Sequence, residues 1–366
     1  MIVARLALIG TGLIGASVGL AAKRAGVERV IGFDPDPDAL ALAVERGAVD
    51  DALERLDAAV AEAELAVVAS PVATLPAQVA AVVGASGDAC TVTDVGSTKG
   101  PVCAAVTHPR FIGGHPVAGS EAHGPAHARA ELFDGATWFL TPAAATDPHR
   151  YRTLHGFVAS LGAVPVAVDP GAHDRLLALT SHLPHALANL LLNQAGGTRV
   201  EGHEPLAAAG GSLREMTRVA GANPRIWVDI FLDNAQALGA ALAEHRRLVE
   251  KLEAALEAGD AGFLARWIGE AAGNRRSLLA DAYPDPGHLQ RLLVRVPDRP
   301  GVLAGITQAL GAERINIEDF ELQHHSPERG GLLTLLVAGE DEAARAAALL
   351  ERQGYGVDVS PELGGE

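Results

Sequence analysis

The sequence predicts three parts in order: an α/β nucleotide-binding sheet, an all-helical segment, and a small α+β sandwich. Three observations lead there. Short apolar runs alternate with helical stretches up to about residue 169. Apolar residues then recur at three- and four-residue steps from about 172 to 282. After the breaker-rich Tyr283-Pro284-Asp285-Pro286-Gly287, short strands and helices resume. The expected parts span residues 1–169, 170–283 and 288–362. A chain of 366 residues, 48% of them hydrophobic, has the apolar material for more than one core.

Residues 3–9 form a short apolar run that ends in Gly10-Thr11-Gly12-Leu13-Ile14-Gly15, which reads as strand, tight turn and helix start. Gly10 allows the turn, Gly12 lets a pyrophosphate reach the backbone, and Gly15 lets the helix close on the strand. The helix N-terminus faces the phosphates. In a chain with 41 glycines the pattern alone is weak, and its context carries it. A helix over 13–25 leads to a second strand, Arg29-Val30-Ile31-Gly32-Phe33, ending in Asp34 at 19 positions beyond Gly15. A carboxylate there suits the ribose hydroxyls of NAD and repels the 2′-phosphate of NADP. The bland alternative for this acidic cluster is a helix cap, for which Asp38 looks best placed.

Further strands follow at Leu65-Ala66-Val67-Val68-Ala69 and Ala89-Cys90-Thr91-Val92-Thr93-Asp94-Val95. The ligand crevice of an open α/β sheet lies at the carboxyl ends of its strands, which puts Ser70, Pro71, Ser97 and Lys99 beside the cofactor. Ser97 also reads as a helix cap. Arg110-Phe111-Ile112 is the next strand and runs into Gly113-Gly114-His115-Pro116-Val117-Ala118-Gly119-Ser120-Glu121. His115 reads as a histidine in a loop of flexible residues at the same edge, able to bring its ring against a small ligand. A last strand lies near 164–168.

The longest helical pattern, 224–258, carries Trp227, Ile230, Phe231, Leu238, Leu242, Leu248, Leu252 and Leu256, with Pro224 at the start and Gly259 as the stop. A stripe of that length predicts burial against a second copy of the chain, hence a homodimer. The same segment holds Ser181-His182-Leu183-Pro184-His185 and Ser212-Leu213-Arg214-Glu215-Met216-Thr217-Arg218. His182 and His185 share a helix face, and Pro184 between them is expected to kink or restart the helix. Zinc is the competing reading of these histidines, but no third and fourth ligand stand at a recognised spacing, so no metal is expected. Arg218 offers a planar fork suited to a carboxylate; an ion pair with Glu215 or Asp229 is the alternative.

Beyond the linker the order strand, helix, strand, strand, helix, strand over 289–359 predicts a ferredoxin-like βαββαβ unit. The net charge of −16 argues against nucleic acid, which needs concentrated Lys and Arg. Two cysteines, Cys90 and Cys103, form neither a disulfide framework nor a metal cluster and fit a reducing cytosol. The uncharged stretch 6–22 could pass for a signal peptide, but its glycines at 10, 12, 15 and 19 make a poor apolar region. A cytoplasmic protein without a membrane span is expected.

Taken together, the Gly10 to Gly15 turn with Asp34, the run Asp94-Val95-Gly96-Ser97-Thr98-Lys99-Gly100, the run around His115, Ser181 to His185, and Thr217-Arg218 followed by Asn223-Pro224 and Trp227 resemble the prephenate dehydrogenase family with a C-terminal ACT domain. The resemblance covers essentially the whole chain. It implies a Rossmann-type nucleotide domain, a helical dimerisation domain and an ACT regulatory domain. It also implies NAD-dependent oxidative decarboxylation of prephenate to 4-hydroxyphenylpyruvate. On that resemblance His115 is the catalytic histidine, accepting a hydrogen bond from the ring hydroxyl, and Ser97 bonds the other side of its imidazole and the nicotinamide. Arg218 binds a substrate carboxylate and His185 contacts or holds the substrate. Glu121, with Ser120, shapes the pocket entrance, and His182 is a lesser contact. Gly10, Thr11, Gly12, Leu13, Ile14, Gly15, Asp34, Ser70, Pro71 and Ser97 line the cofactor. In the ACT part, Asp298 and Gly301 of the first loop, with Asn316 and Ile317 on the second strand, are the expected amino-acid effector site, and tyrosine is the effector to test. Glu215 stands where many relatives carry Asp.

Three rivals remain at this point. Arogenate dehydrogenase uses the same scaffold, and no residue separates the two substrates. A β-hydroxyacid dehydrogenase wants a lysine in the helical half, where this chain has paired histidines. A ligand-sensing regulator with a retained cofactor fold predicts binding without turnover.

Overall fold

The computed structural model describes residues 3–118, 122–282, 289–326 and 330–361. Ser120 and Glu121, the linker 283–287 and the polar turn 327–329 lie outside them. The chain forms two compact units, residues 1–246 and 247–366.

In the first unit the elements run β1 (Arg5–Ile9), α1 (Leu13–Arg24), β2 (Arg29–Phe33), α2 (Pro37–Glu45), β3 (Asp51–Ala52), α3 (Leu56–Val60), β4 (Leu65–Val68), α4 (Leu75–Ala85), β5 (Thr91–Asp94), α5 (Gly100–Ala105), β6 (Phe111–Pro116), β7 (Thr137–Thr141), α6 (Pro148–Ser160) and β8 (Val164–Ala167). The sheet order is β3-β2-β1-β4-β5-β6-β7-β8. Neighbours are parallel except β6 and β7, which run antiparallel. Strand β1 shows why the sheet is doubly wound. Leu6 and Leu8 enter one core with Val18, Phe133 and Leu154, while Ala7 and Ile9 enter a second core with Val68, Val79 and Val92 on the other face.

Two expectations change here. Helix α2 is capped by Asp36, whose carboxylate accepts from the N–H groups of Asp38 and Ala39, because Pro37 takes the first helical position. Asp38 is inside the first turn. His115 stands within β6, paired with Phe139 of β7, and is not in a flexible loop. Its flanking glycines serve close packing: a Cβ on Gly113 would lie 2.4 Å from Thr141 Oγ1, and one on Gly114 would lie 2.6 Å from the Asp94 carbonyl oxygen. Strand β7, which supplies Phe139 and Thr141, is absent from the elements the sequence predicts.

The helical continuation is α7 (Pro170–Leu177), a π-type turn (Ala178–His182), α8 (Leu183–Gly197), α9 (Gly211–Met216), α10 (Pro224–Asp233) and α11 (Ala235–Ala258). The helix expected over 224–258 is therefore two. It breaks at Asn234, whose backbone leaves the helical range and whose buried side-chain amide donates to the Asp174 carbonyl oxygen at 2.8 Å. Pro184 falls in the first turn of α8, where its missing N–H costs nothing.

The second unit holds α12 (Ala261–Ala282), β9 (Leu289–Val296), α13 (Val302–Ala312), β10 (Asp319–Ser326), β11 (Gly330–Ala338), α14 (Glu340–Arg352) and β12 (Gly356–Pro361). Its antiparallel sheet has the order β10-β11-β9-β12, the ferredoxin-like arrangement, over a core of Leu292, Val294, Ile306, Leu310, Leu335 and Leu350. Among the described residues no helix is long and apolar enough to cross a membrane.

Candidate functional site

At the end of β1 the backbone turns on Gly10, at φ +98°, where any side chain is strained and a Cβ would lie 2.4 Å from the Ala69 carbonyl oxygen. Gly15 packs as closely, its would-be Cβ 2.0 Å from the Gly10 carbonyl oxygen. Gly12, by contrast, faces open space, and as N-cap of α1 it provides no side-chain cap. The first N–H groups of α1 thus face a cradle without side chains, the form a pyrophosphate requires. Leu13 and Ile14 open that helix and are half-buried. Asp34, at the end of β2, accepts from the Thr11 N–H at 2.6 Å, the Thr11 hydroxyl at 2.9 Å and the Asp36 N–H at 2.9 Å. Thr11 is buried, so its side chain positions Asp34 rather than facing a ligand. Half-buried Ser70 and exposed Pro71 follow β4 at the same sheet edge. These features fit a dinucleotide.

Next along the edge, Asp94 ends β5. Its carboxylate accepts from the N–H groups of Gly96 (2.8 Å) and Gly114 (3.0 Å) and pairs with the Lys99 ammonium, which also donates to the Gly114 carbonyl at 2.7 Å. Asp94 and Lys99 are fully buried. Lys99, placed beside the cofactor by its position in the sequence, is instead committed to holding β5 against β6. Ser97, half-buried on the connecting loop, makes no hydrogen bond to His115. Thr98 donates its hydroxyl to Asp233 at the end of α10. Burial pushes the Asp233 carboxyl up, against the lowering effect of that bond.

His115 is 8% exposed, and its Nδ1 lies 2.9 Å from Nε2 of His173 on α7. Nδ1 of His173 lies 2.8 Å from Asp174 Oδ1. The Asp174 carboxylate also accepts from the N–H groups of Lys99 (2.8 Å) and Gly100 (2.7 Å). Burial alone pushes this carboxyl up, but the His173 bond and the two N–H groups outweigh it and leave it below the usual range. Burial, reinforced by His173, Lys99 and His182, holds the His115 imidazolium well below its ordinary pKa of 6.5, so the ring is neutral.

His182 is buried, and its Nδ1 stands 3.0 Å from the Asn234 amide nitrogen, which makes Nδ1 the acceptor. Burial pushes its pKa down to about 4, although Asp174 opposes the shift. The His185 ring stacks on Trp227 with centroids 3.5 Å apart and planes 9° from parallel, and burial pushes its pKa down as well. Arg218 is exposed and opens a short 3₁₀ turn, Arg218–Gly221, that packs against α8, the helix bearing His185.

His115, His173, Asp174, Asn234 and His182 thus form one connected set. Sequence reasoning missed His173 and Asp174, because a His-Asp pair inside an ordinary helical stretch carries no signature. In the second unit a cavity of about 330 Å³ is lined by Asp298, Arg299, Gly301, Val302, Leu322 and Leu333, among others. Asn316 and Ile317 do not line it. The Asn316 amide donates to Glu318 at 2.8 Å, and Ile317 packs on the core.

Family models match in series: "Prephenate dehydrogenase, nucleotide-binding domain" over residues 18–167, "Prephenate dehydrogenase, dimerization domain" over 169–270, and "ACT domain" over 290–354. The chain is 32% identical over 353 residues to a prephenate dehydrogenase of Bacillus subtilis, covering 94% of this chain and 95% of that protein. A solved prephenate dehydrogenase from A. aeolicus, in complex with hydroxyphenyl propionate and NAD⁺, superposes with a TM-score of 0.71 at 26% identity, over 75% of this chain and 98% of that one. A Synechocystis arogenate dehydrogenase gives 0.68 at 28% identity, over 75% and 99%.

Proposed function

Because the chain belongs to the prephenate dehydrogenase family, we propose that His115 assists the NAD-dependent oxidative decarboxylation of prephenate to 4-hydroxyphenylpyruvate by accepting a hydrogen bond from the ring hydroxyl. The observation that carries this role is the buried, neutral His115 at the carboxyl edge of the nucleotide sheet, its Nδ1 already engaged by His173 and its Nε2 without a hydrogen-bond partner among the described residues. The cofactor supplies the hydride acceptor. Gly12 and the first turn of α1 take its pyrophosphate, and Asp34 takes its ribose hydroxyls. As the ring carbon gives up hydride, the His115 lone pair stabilises the developing carbonyl character, and loss of CO₂ makes the ring aromatic.

Arg218 binds a substrate carboxylate through its planar fork. His185, held flat against Trp227, and His182 contact the substrate, Ser97 serves the nicotinamide end, and Ser120 and Glu121 shape the entrance. The match to a dimerization-domain model and the long helices support a homodimer. The ACT match and the cavity bearing Asp298 and Gly301 support regulation by an amino acid, with tyrosine the first to test. The acidic chain, with only Cys90 and Cys103, suits a cytoplasmic enzyme.

The likeness to an arogenate dehydrogenase makes arogenate the second candidate substrate. NADH formation from prephenate and from arogenate, each with and without tyrosine, tests all of this. His115→Asn is expected to lower kcat by about 10² to 10⁴ with KM much less changed. A large rise in KM with normal kcat refutes the role of His115.

A further inference from the structure

We infer that His173 and Asp174 form a relay that fixes the tautomer of His115, with its lone pair on Nε2, and shares the positive charge when that nitrogen draws the substrate proton. The inference rests on the reading of His115 given above and extends it to two positioning residues that touch neither substrate nor cofactor.

For an uncharged His173 the hydrogen-bond inventory sets the direction of the chain. The Asp174 carboxylate accepts from the N–H groups of Lys99 and Gly100, so at 2.8 Å it also accepts from Nδ1–H of His173. With His173 uncharged, as the relay requires before the substrate proton moves, its lone pair is on Nε2, which can only accept. The group 2.9 Å away is Nδ1 of His115, which must therefore be the donor. A neutral His115 that donates from Nδ1 has its lone pair on Nε2. The opposite tautomer would set two lone pairs against each other in a buried site, where an unmade hydrogen bond costs about 1–3 kcal/mol.

Packing holds the chain in place. His173 is fully buried, with its ring edge-on to Phe139 at 5.3 Å, and meets the His115 ring edge-on at 5.1 Å. Asp174 is fixed by the start of α5 on one side, and its backbone carbonyl by Asn234 on the other. The charged and titratable groups facing His115 are His173, Lys99 and His182. Those facing Asp174 include His173 and Asp233, so Asp174 is the anion hydrogen-bonded to this chain.

The reaction balances through this path. Hydride leaves the ring carbon for the cofactor, and the hydroxyl proton moves to Nε2 of His115. The Nδ1 proton moves to Nε2 of His173, so that the positive charge rests beside the Asp174 carboxylate. When CO₂ leaves and its bonding electrons enter the ring, the proton returns by the same route to the phenolic oxygen. No proton is released overall.

Two measurements test the inference. In protein labelled with ¹⁵N-histidine, the His115 resonances, identified by their loss in His115→Asn, are expected to show a protonated Nδ1 and a bare Nε2. A protonated Nε2 overturns the relay without any variant of His173. In kinetics, His173→Leu removes the acceptor and is expected to lower kcat by about 10² or more with KM within about threefold, as for a general base left in the wrong tautomer. His173→Gln restores an acceptor oxygen but no site for charge, and is expected to recover about tenfold of that loss while still falling short of the parent. Equal kcat for His173→Leu and the parent overturns the relay. If His115→Asn is inactive while His173→Leu is fully active, only the relay fails; if His115→Asn is itself fully active, the reading of His115 fails with it.

Discussion

Removing the Lys99 ammonium is the most demanding perturbation of this architecture that leaves the reacting groups untouched. Lys99→Met keeps the side-chain length and apolar stem but leaves the Asp94 carboxylate, buried between β5 and β6, with only the Gly96 and Gly114 N–H groups. It also leaves the Gly114 carbonyl without its 2.7 Å donor. Breaking a fully buried ion pair on one side costs about 3–5 kcal/mol. For a domain of this size each kcal/mol lowers the melting temperature by about 2–4 °C, so a fall of roughly 6–20 °C is expected. The measurement is a thermal melt followed by circular dichroism, with the transition of the first unit identified by its upward shift on adding NAD. Asp94→Asn combined with Lys99→Met removes both charges and is expected to recover part of the loss, since an amide can still accept one of the two N–H bonds. A melting temperature within about 2 °C of the parent for Lys99→Met alone would refute the reasoning, because it would mean that the buried carboxylate finds another partner at little cost.

Other outcomes follow from the same geometry. His182 titrates near 4 in the folded protein and at about 6.5 when unfolded, so the unfolded chain binds more protons between those values. Stability is therefore full above about pH 6.5 and falls as pH drops toward 4, by up to about 1.4 kcal/mol per unit from this residue; His182→Gln should flatten that slope in urea titrations at successive pH values. Because burial holds His115 neutral, kcat is expected to persist well below pH 6.5, and a loss of activity centred at 6.5 would contradict that placement. Asp34→Ser is expected to weaken the preference for NAD⁺ over NADP⁺ and to raise KM for both, since Asp34 also holds Thr11; an unchanged cofactor preference counts against the ribose assignment.

The nucleotide sheet was legible because each of its central strands is a short apolar run closed by a polar turn, and because Gly10, Gly12 and Gly15 fall where one strand hands over to a helix. The site was legible through residues that interrupt such runs: His115 between glycines and proline, and Asp34 after Phe33. Other features left no trace. The glycines at 113 and 114 suggested mobility, whereas they admit the Thr141 hydroxyl and the Asp94 carbonyl at close range. Apolar spacing passes through Asn234 without a fault, so the break between α10 and α11 depends on what its amide touches across the fold. His173 and Asp174 lie in an amphipathic stretch whose buried face takes histidine as readily as leucine, and only the approach of α7 to β6 gives them a purpose.

The π-type turn at Ala178–His182 has a consequence for how this segment can vary. A wide turn holds one residue more than a regular helix needs for the same advance. Deleting a single residue there would yield ordinary helix and leave the following side chains of α8 close to their present phase, whereas a deletion from the regular helix on either side would rotate them by about 100°, carrying the ring of His185 away from Trp227. Substitutions at the exposed Leu179 and Thr180 leave that phase alone. The turn is therefore where this stretch can lose one residue and keep its phase, and in a scan of single-residue deletions from 176 to 184 those within the turn are expected to be tolerated better than those in the helix on either side.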